Sequence, residues 1–414
     1  ARAAPPQLHG GPYWIMVHAG GGWDPTFLCD PKAGNANFNA ATQAVGTAGG
    51  ISYSANTADP VALLGAPADQ VAQYAPYFLS NEVFFGRHGS ALTVFNGIDT
   101  GTNNHDTGMR NTWSGQNDGY PALAAVIAGT YGANQPLAFV SNGGYDATFD
   151  LVALSRISSG DSIAQLARPN LTNAMDPNSF IQLPAAYGRI QAAQAARIAR
   201  QQARATMVRE QRGLNALALA RDGAGALADV VLPSTNLTLP NGLGDQQRLC
   251  QQAQLVISTF KAGVAVAASL ELGGFDTHGD HDDSQARQLA KLLGGVDFIL
   301  AELERQGLRD KTYVLVGSEF GRGPRYNSAR GKDHWPVTSM LAFGPKIPGN
   351  RVIGATDAEQ QPLKINPTTL LPDSAGVSLT PTAINKALRV VSGTAGSEAD
   401  ERYPLPGTAL PLFG

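Results

Sequence analysis

LGGFDTHGDH at residues 272–281, TYVLVGSEFGR at 312–322 and GKDHWP at 331–336 hold three of the chain's seven histidines within about 65 residues. The first follows Val264–Leu272 (VAVAASLEL), whose near-continuous apolar character is that of a central buried strand. Between the first two, Leu289, Leu293, Val296, Leu300 and Leu303 alternate steps of four and three, which marks a helix with one buried face. Gly307 ends it, and Tyr313–Val316 is the next strand. A strand, a helix and a strand, each strand followed by a polar cluster, put both clusters at one edge of a sheet. In α/β proteins ligands sit there, beyond the carboxyl ends of the strands.

Working outward, Tyr13–Val17 reads as another buried strand. It runs into His18-Ala-Gly-Gly-Gly-Trp-Asp24-Pro, a glycine-rich turn that presents a carboxylate, or a hairpin turn with Asp24 solvated. The spacing is not that of a dinucleotide fingerprint. Residues 30–110 are rich in loop formers, with a short helix expected at Ala68–Leu79 and a short strand at Leu92–Phe95. The polar stretch from Thr102 to Gly115 places His105 beside Asp106, either as a second ligand group or as a histidine satisfied by loop backbone. A helix at Tyr120–Gly129 and a strand at Leu137–Val140 continue the alternation. From Gly188 to about Ala220 the chain is Ala, Gln and Arg, a long helix or helix pair. Arginines 189, 197, 200, 204, 209, 212 and 221 read as spread round it, a solvated face. Later elements are a strand at Met340–Phe343, a helix at Thr380–Val391 and a surface tail, PLPGTALPLFG.

The 414 residues allow one large domain, and we treat residues 1–414 as one, with 150–245 as a helical insertion. Only 15% of residues are charged, below the roughly 25% of ordinary soluble domains, and such a neutral surface suits an exported protein. The ARAAPP start fits a mature terminus left by a removed signal sequence, or a trimmed chain. A net charge of −3 argues against nucleic acid as partner, and no run of apolar residues is long enough to span a membrane. Cys29 and Cys250 form either a disulfide or two buried thiols.

Asp276 and His278 lie two apart at a strand end, so both side chains can face one cation. Glu319 approaches from the neighbouring strand end, and Asp333 and His334 from a later loop. Such a mixed set suits Zn²⁺, Mn²⁺ or Fe²⁺, and its carboxylates alone would suit Ca²⁺ or Mg²⁺. The alternative is histidines bonded within polar loops and solvated acids. Arg322 and Arg325 can grip an anionic group in bidentate fashion or pair with nearby acids. Of the acidic run at Asp280–Asp283, only His281 is a candidate for the site.

The stretches GGFDTH, GLRDKTYVLVGSEFGRGPRYNSARGKDHWP and RVIGATD resemble a bacterial family of exported proteins of unassigned function in the alkaline phosphatase/sulfatase-like superfamily. The likeness covers about residues 260–360, with weaker echoes in HAGGGWDP and NNHDTGMRNTWSG; about 145–245 has no counterpart. It implies an α/β three-layer sandwich with a central, mostly parallel sheet. It implies metal ligation by Asp24, Asp276, His278, Glu319 and His334. Phe320 stands where relatives often carry a His ligand, and Asn104 stands where a serine nucleophile would be. Thr102, Thr26 or water would then attack.

The sequence thus predicts a metal-dependent hydrolase-like protein acting on a phosphate or sulfate ester. Asp24, Asp276, His278, Glu319, Asp333 and His334 would hold a divalent metal (Zn, Mn or Ca), Arg322 would stabilise the anion, and His105 would assist proton transfer. The partners expected are a small anionic ester or glycan, and other chains in a homo- or hetero-oligomer. The rival is a non-catalytic envelope or assembly subunit. A sugar-binding module, resting on Trp14, Trp23, Trp113 and Trp335, is a third reading.

Overall fold

The structure, a computed structural model, describes residues 8–35, 44–55, 73, 75–157, 163, 165, 167–173, 176–222, 227 and 244–414. The chain runs through β1 (Tyr13–Ala19), β2 (Val45–Ala48), β3 (Ile51–Ser54), α1 (Asn81–His88), β4 (Thr93–Asp99), α2 (His105–Ser114) and α3 (Leu123–Gly132). It continues through β5 (Phe139–Asn142), β6 (Leu154–Ser155), α4 (Pro184–Arg204), α5 (Val208–Asp222), α6 (Gly244–Lys261), β7 (Ala267–Leu272) and α7 (His281–Arg305). Last come β8 (Thr312–Gly317), β9 (Gly321–Tyr326), β10 (Lys332–Trp335), β11 (Val337–Phe343), β12 (Arg351–Ile353), α8 (Pro381–Val391) and α9 (Glu398–Arg402).

Eight strands form one sheet in the order β12-β4-β11-β8-β1-β7-β5-β6. All neighbours pair in parallel except β11, which runs against both β8 and β4. Strand β1 lies at the centre with every residue buried. Its side chains alternate between two cores, as the two-residue period of a strand requires. Tyr13, Ile15 and Val17 meet one face with Val256 and Phe260 of α6 and Leu293 and Val296 of α7. Trp14 and Met16 meet the other with Leu123 and Ile127 of α3 and Ile384 and Leu388 of α8. The result is a three-layer α/β sandwich around a mostly parallel sheet. The five residues that set the period of α7 are all buried, each worth roughly 1.5–3 kcal/mol.

Several expectations change. The PLPGTALPLFG tail is anchored: Leu410 and Leu412 are buried in the second core, while Pro404, Pro406–Thr408 and Pro411 stay exposed. Cys29 and Cys250 are free and buried, and burial pushes each thiol up to about 12. Trp14, Trp23 and Trp113 are core residues, which removes the aromatic platform of a sugar-binding module. The helix expected at Ala68–Leu79 falls mostly outside the described residues, as does part of the insertion at 150–245. The described part of that insertion includes the helix pair α4–α5. No helix among the described residues is long and apolar enough to cross a membrane.

Candidate metal centre

The reversed strand β11 explains how the clusters meet. Parallel strands β1, β7, β8 and β4 deliver Gly20–Asp24, Gly273–His278, Ser318–Glu319 and Thr100–His105 beyond their carboxyl ends. Because β11 runs the other way, its start lies at that same edge, and the β9–β10 hairpin before it brings Asp333 and His334 there. Close approach of these turns needs glycine at two points. Gly21 has φ +118°, and a Cβ on it would run into the backbone nitrogen of Asp276. A Cβ on Gly331 would strike the backbone of His278.

Three imidazoles converge on one carboxylate. His105 Nδ1 lies 2.8 Å from Glu319 Oε1, His278 Nδ1 lies 3.1 Å from Asp333 Oδ1, and His334 Nδ1 lies 2.8 Å from the Asn103 carbonyl oxygen. Each of those partners can only accept, so each Nδ1 bears a hydrogen, and in the neutral ring Nε2 is the atom left to act as a ligand. The three Nε2 atoms point inward. Those of His278 and His334 lie 3.1 Å from Asp276 Oδ1 and 3.0 Å from each other, and that of His105 lies 3.6 Å from Asp276 Oδ2. Ligand atoms of His105, Asp276 and His334 fall within 4.8 Å of one another. Converging ring nitrogens beside a carboxylate repel unless a proton or a metal cation lies between them. Ring nitrogens fixed by an outer acceptor are also the usual surroundings of metal-binding histidines.

The carboxylates are held ionised. Burial pushes Glu319 up. The His18 ring, the His105 hydrogen bond and the Gly21 N–H, 2.7 Å from Oε1, outweigh burial and keep it below the usual range. Trp113 Nε1–H donates to His18 Nδ1, which leaves the Nε2 hydrogen of His18 facing Glu319. Asp276 is likewise lowered, against its partial burial, by the hydrogen bond and the charge of Arg322. Asp333 is lowered by the His278 and Asn327 hydrogen bonds. Three carboxylates against the one guanidinium of Arg322 leave a deficit that a divalent cation would balance.

Most of the expected residues therefore meet, though in altered roles. Asp276, His278 and His334 face the centre directly. Glu319 and Asp333 stand behind histidines and orient them. His105, expected to move a proton, presents a ligand atom; its position on helix α2, not in a loop, comes from the Asn104 side chain, which caps α2 by accepting the Thr107 N–H. Arg322 does not reach out to an anion. It is fully buried and donates to the carbonyls of Gly21, Gly22 and Lys332 and, at 2.6 Å, to Asp276. Arg325 pairs with Glu359. Thr102 Oγ1 accepts the Asn104 N–H, on the loop whose Asn103 carbonyl fixes His334.

Asp24 is not brought to the centre. Its carboxylate is sealed from solvent. Oδ2 lies 2.9 Å from both Lys332 Nζ and His281 Nε2, and Oδ1 accepts both the backbone N–H and the hydroxyl of Thr26. The Lys332 ammonium also lies over the Phe27 and Tyr326 rings. Burial would raise Asp24; Lys332 and His281 reverse this and hold it well below the carboxylate range. Burial pushes His281 down despite Asp24 beside it, and its Nδ1 bonds Thr277 Oγ1. With both oxygens so engaged, Asp24 has none left for a second metal. Lys332 was not singled out in sequence, although it stands beside Asp333; its partner lies 308 positions away.

A comparison with curated proteins finds no match. Among solved structures the chain is similar to a 2-O GAG sulfatase, with 12% identity over 97% of this chain and 73% of that one, at a TM-score of 0.36. It is similar to a putative sulfatase from Bacteroides thetaiotaomicron, with 11% identity over 97% and 74%, TM-score 0.37. It is also similar to a TAB5 alkaline phosphatase variant with Mg bound, with 10% identity over 84% and 95%, TM-score 0.34. These likenesses are distant, and assignment rests on a family match instead. Residues 14–371 match the family described as "Protein of unknown function (DUF1501)", and the chain belongs to that family.

Proposed function

We propose that the chain binds one divalent cation, zinc or manganese, through Nε2 of His105, His278 and His334 and the carboxylate of Asp276, and uses it to hydrolyse a phosphate or sulfate ester. The observation that carries the reading is the convergence of three ring nitrogens, each with its other nitrogen donating to a fixed acceptor. Three nitrogens and one carboxylate suit zinc or manganese; calcium takes oxygen ligands. The engagement of Asp24 with Lys332 supports one cation over two.

A cation there would act as a Lewis acid toward an ester oxygen. The protein's own groups would hold the site in shape. Arg322 fixes Asp276, and Glu319 and Asp333 fix two of the histidines. Water supplies the nucleophile in this reading, because the Thr26 hydroxyl is buried on Asp24 and Thr102 braces the loop of Asn103. The small charged fraction of the chain supports an exported location.

Elemental analysis of the purified protein should give one zinc or manganese per chain. Asp276→Ala should abolish both that cation and any hydrolysis on a panel of phosphate and sulfate esters. A metal-free protein, or unchanged hydrolysis in Asp276→Ala, refutes the reading. The rival, a non-catalytic envelope or assembly subunit, is favoured by the buried state of Arg322 and by Asn104 acting as a helix cap. A full cation complement with silence across the ester panel would select it.

A further inference from the structure

Helices α4 and α5 pack chiefly on each other. Of the 21 residues of α4, only Ile198 is buried. Gln202 Nε2 donates to Asn215 Oδ1 and Gln211 Nε2 to the Ala205 carbonyl, which closes the pair into a hairpin. The arginines of α4 are not spread round it. At 100° per residue Arg189, Arg197, Arg200 and Arg204 fall within an arc of about 80°, on the side away from Ile198. They form an exposed stripe roughly 22 Å long. No acidic residue occurs in α4, and none of the four makes an ion pair among the described residues. Across residues 184–222 seven arginines against Glu210 and Asp222 give +5, so the remainder of the chain, whose total is −3, carries −8.

Apolar side chains border this stripe. Ile190 lies beside it on the helix, and Met207 and Val208 stand 68% and 62% exposed at the turn next to Arg204. A basic face with apolar residues along its edge and end is the pattern of a helix lying in a membrane interface. A soluble polyanion would use the arginines and leave Met207 and Val208 without a role. We propose that α4 docks this face on an anionic lipid surface. The arginines meet headgroup phosphates, and Ile190, Met207 and Val208 enter the acyl boundary.

The test is flotation of the full chain with phosphatidylcholine vesicles, with and without phosphatidylglycerol. The protein should float only with the anionic vesicles, and added salt should release it. The triple variant Arg197→Gln, Arg200→Gln, Arg204→Gln keeps helix propensity and should weaken binding on the order of a hundredfold. Circular dichroism checks that its helices persist, and Met207→Gln with Val208→Gln should weaken binding without changing the charge. Equal flotation with neutral vesicles, or full binding by the triple variant, overturns the proposal. So does binding to heparin with none to vesicles, which would assign the stripe to a soluble polyanion. Self-association lost in the triple variant, with no flotation, would assign it to a second copy and equally overturn the proposal.

Discussion

At the scale of single residues, outer groups are as decisive as the ligands. Glu319→Gln keeps the size of the side chain but weakens its hold on His105 Nδ1. The expected result is a loss of cation affinity of about 10- to 100-fold, read by competition with a chromogenic chelator, with the fold intact. Asp24→Asn should do the opposite. It removes the carboxylate that faces the Lys332 ammonium in the sealed interior, so denaturant unfolding should show a loss of about 3–5 kcal/mol, while cation affinity at the centre stays near that of the wild type. Residue identity was legible where the signal was local. Asp276 and His278 stood out by type and by their place after an apolar run, and His334 by type, beside Asp333 in a polar loop. The pairing of Asp24 with Lys332 left no local trace, since nothing within either segment reports on the other.

At the scale of elements, strands buried on both faces and the evenly spaced leucines of α7 declared themselves. The β9–β10 hairpin did not, because GRGPRY carries two glycines, a proline and two arginines and lacks any apolar alternation. Helix α2 was missed for a similar reason: HDTGMRNTWS has little apolar content before its end. Helices α1 and α7 are clipped together by Asp297, whose Oδ1 and Oδ2 lie 2.8 Å from His88 Nε2 and 3.1 Å from Arg87 Nη1. Burial pushes the Asp297 carboxyl up, but His88 and Arg87 bring it below the usual range. A carboxyl with a depressed folded-state pKa stabilises the fold above its unfolded value, and this is lost as pH falls through the folded value. Asp297→Asn should therefore be less stable than wild type above about pH 4, by roughly 1 kcal/mol or less, and the two should converge at lower pH. Denaturant midpoints across pH would show it.

For the whole molecule, the centre joins α2, the turn after β7 and the β9–β10 hairpin, segments far apart along the chain. A cation held among them, as proposed, would act as a cross-link of the native state. At a hundredfold excess over its dissociation constant it should add about 2.7 kcal/mol, and chelation should lower the thermal midpoint accordingly. An Asp276→Ala protein should show no such response. The overall architecture was readable because periodicity fixes which face of each element is buried. The strand order was not, since placing β11 between β8 and β4 is a matter of tertiary pairing.

Strand β10 carries Lys332 into the sealed interior and, two residues later, His334 into the centre. The hairpin cannot lift off without taking both. The proposed cation, by contrast, would face solvent, since the side chains of His105, Asp276 and His278 are 41–47% exposed, and it would leave by ligand exchange while the hairpin stays closed. Hydrogen exchange of the amides of residues 332–335 should therefore slow when cation is present, and Asp24→Asn should speed that exchange while leaving the rate of cation release unchanged.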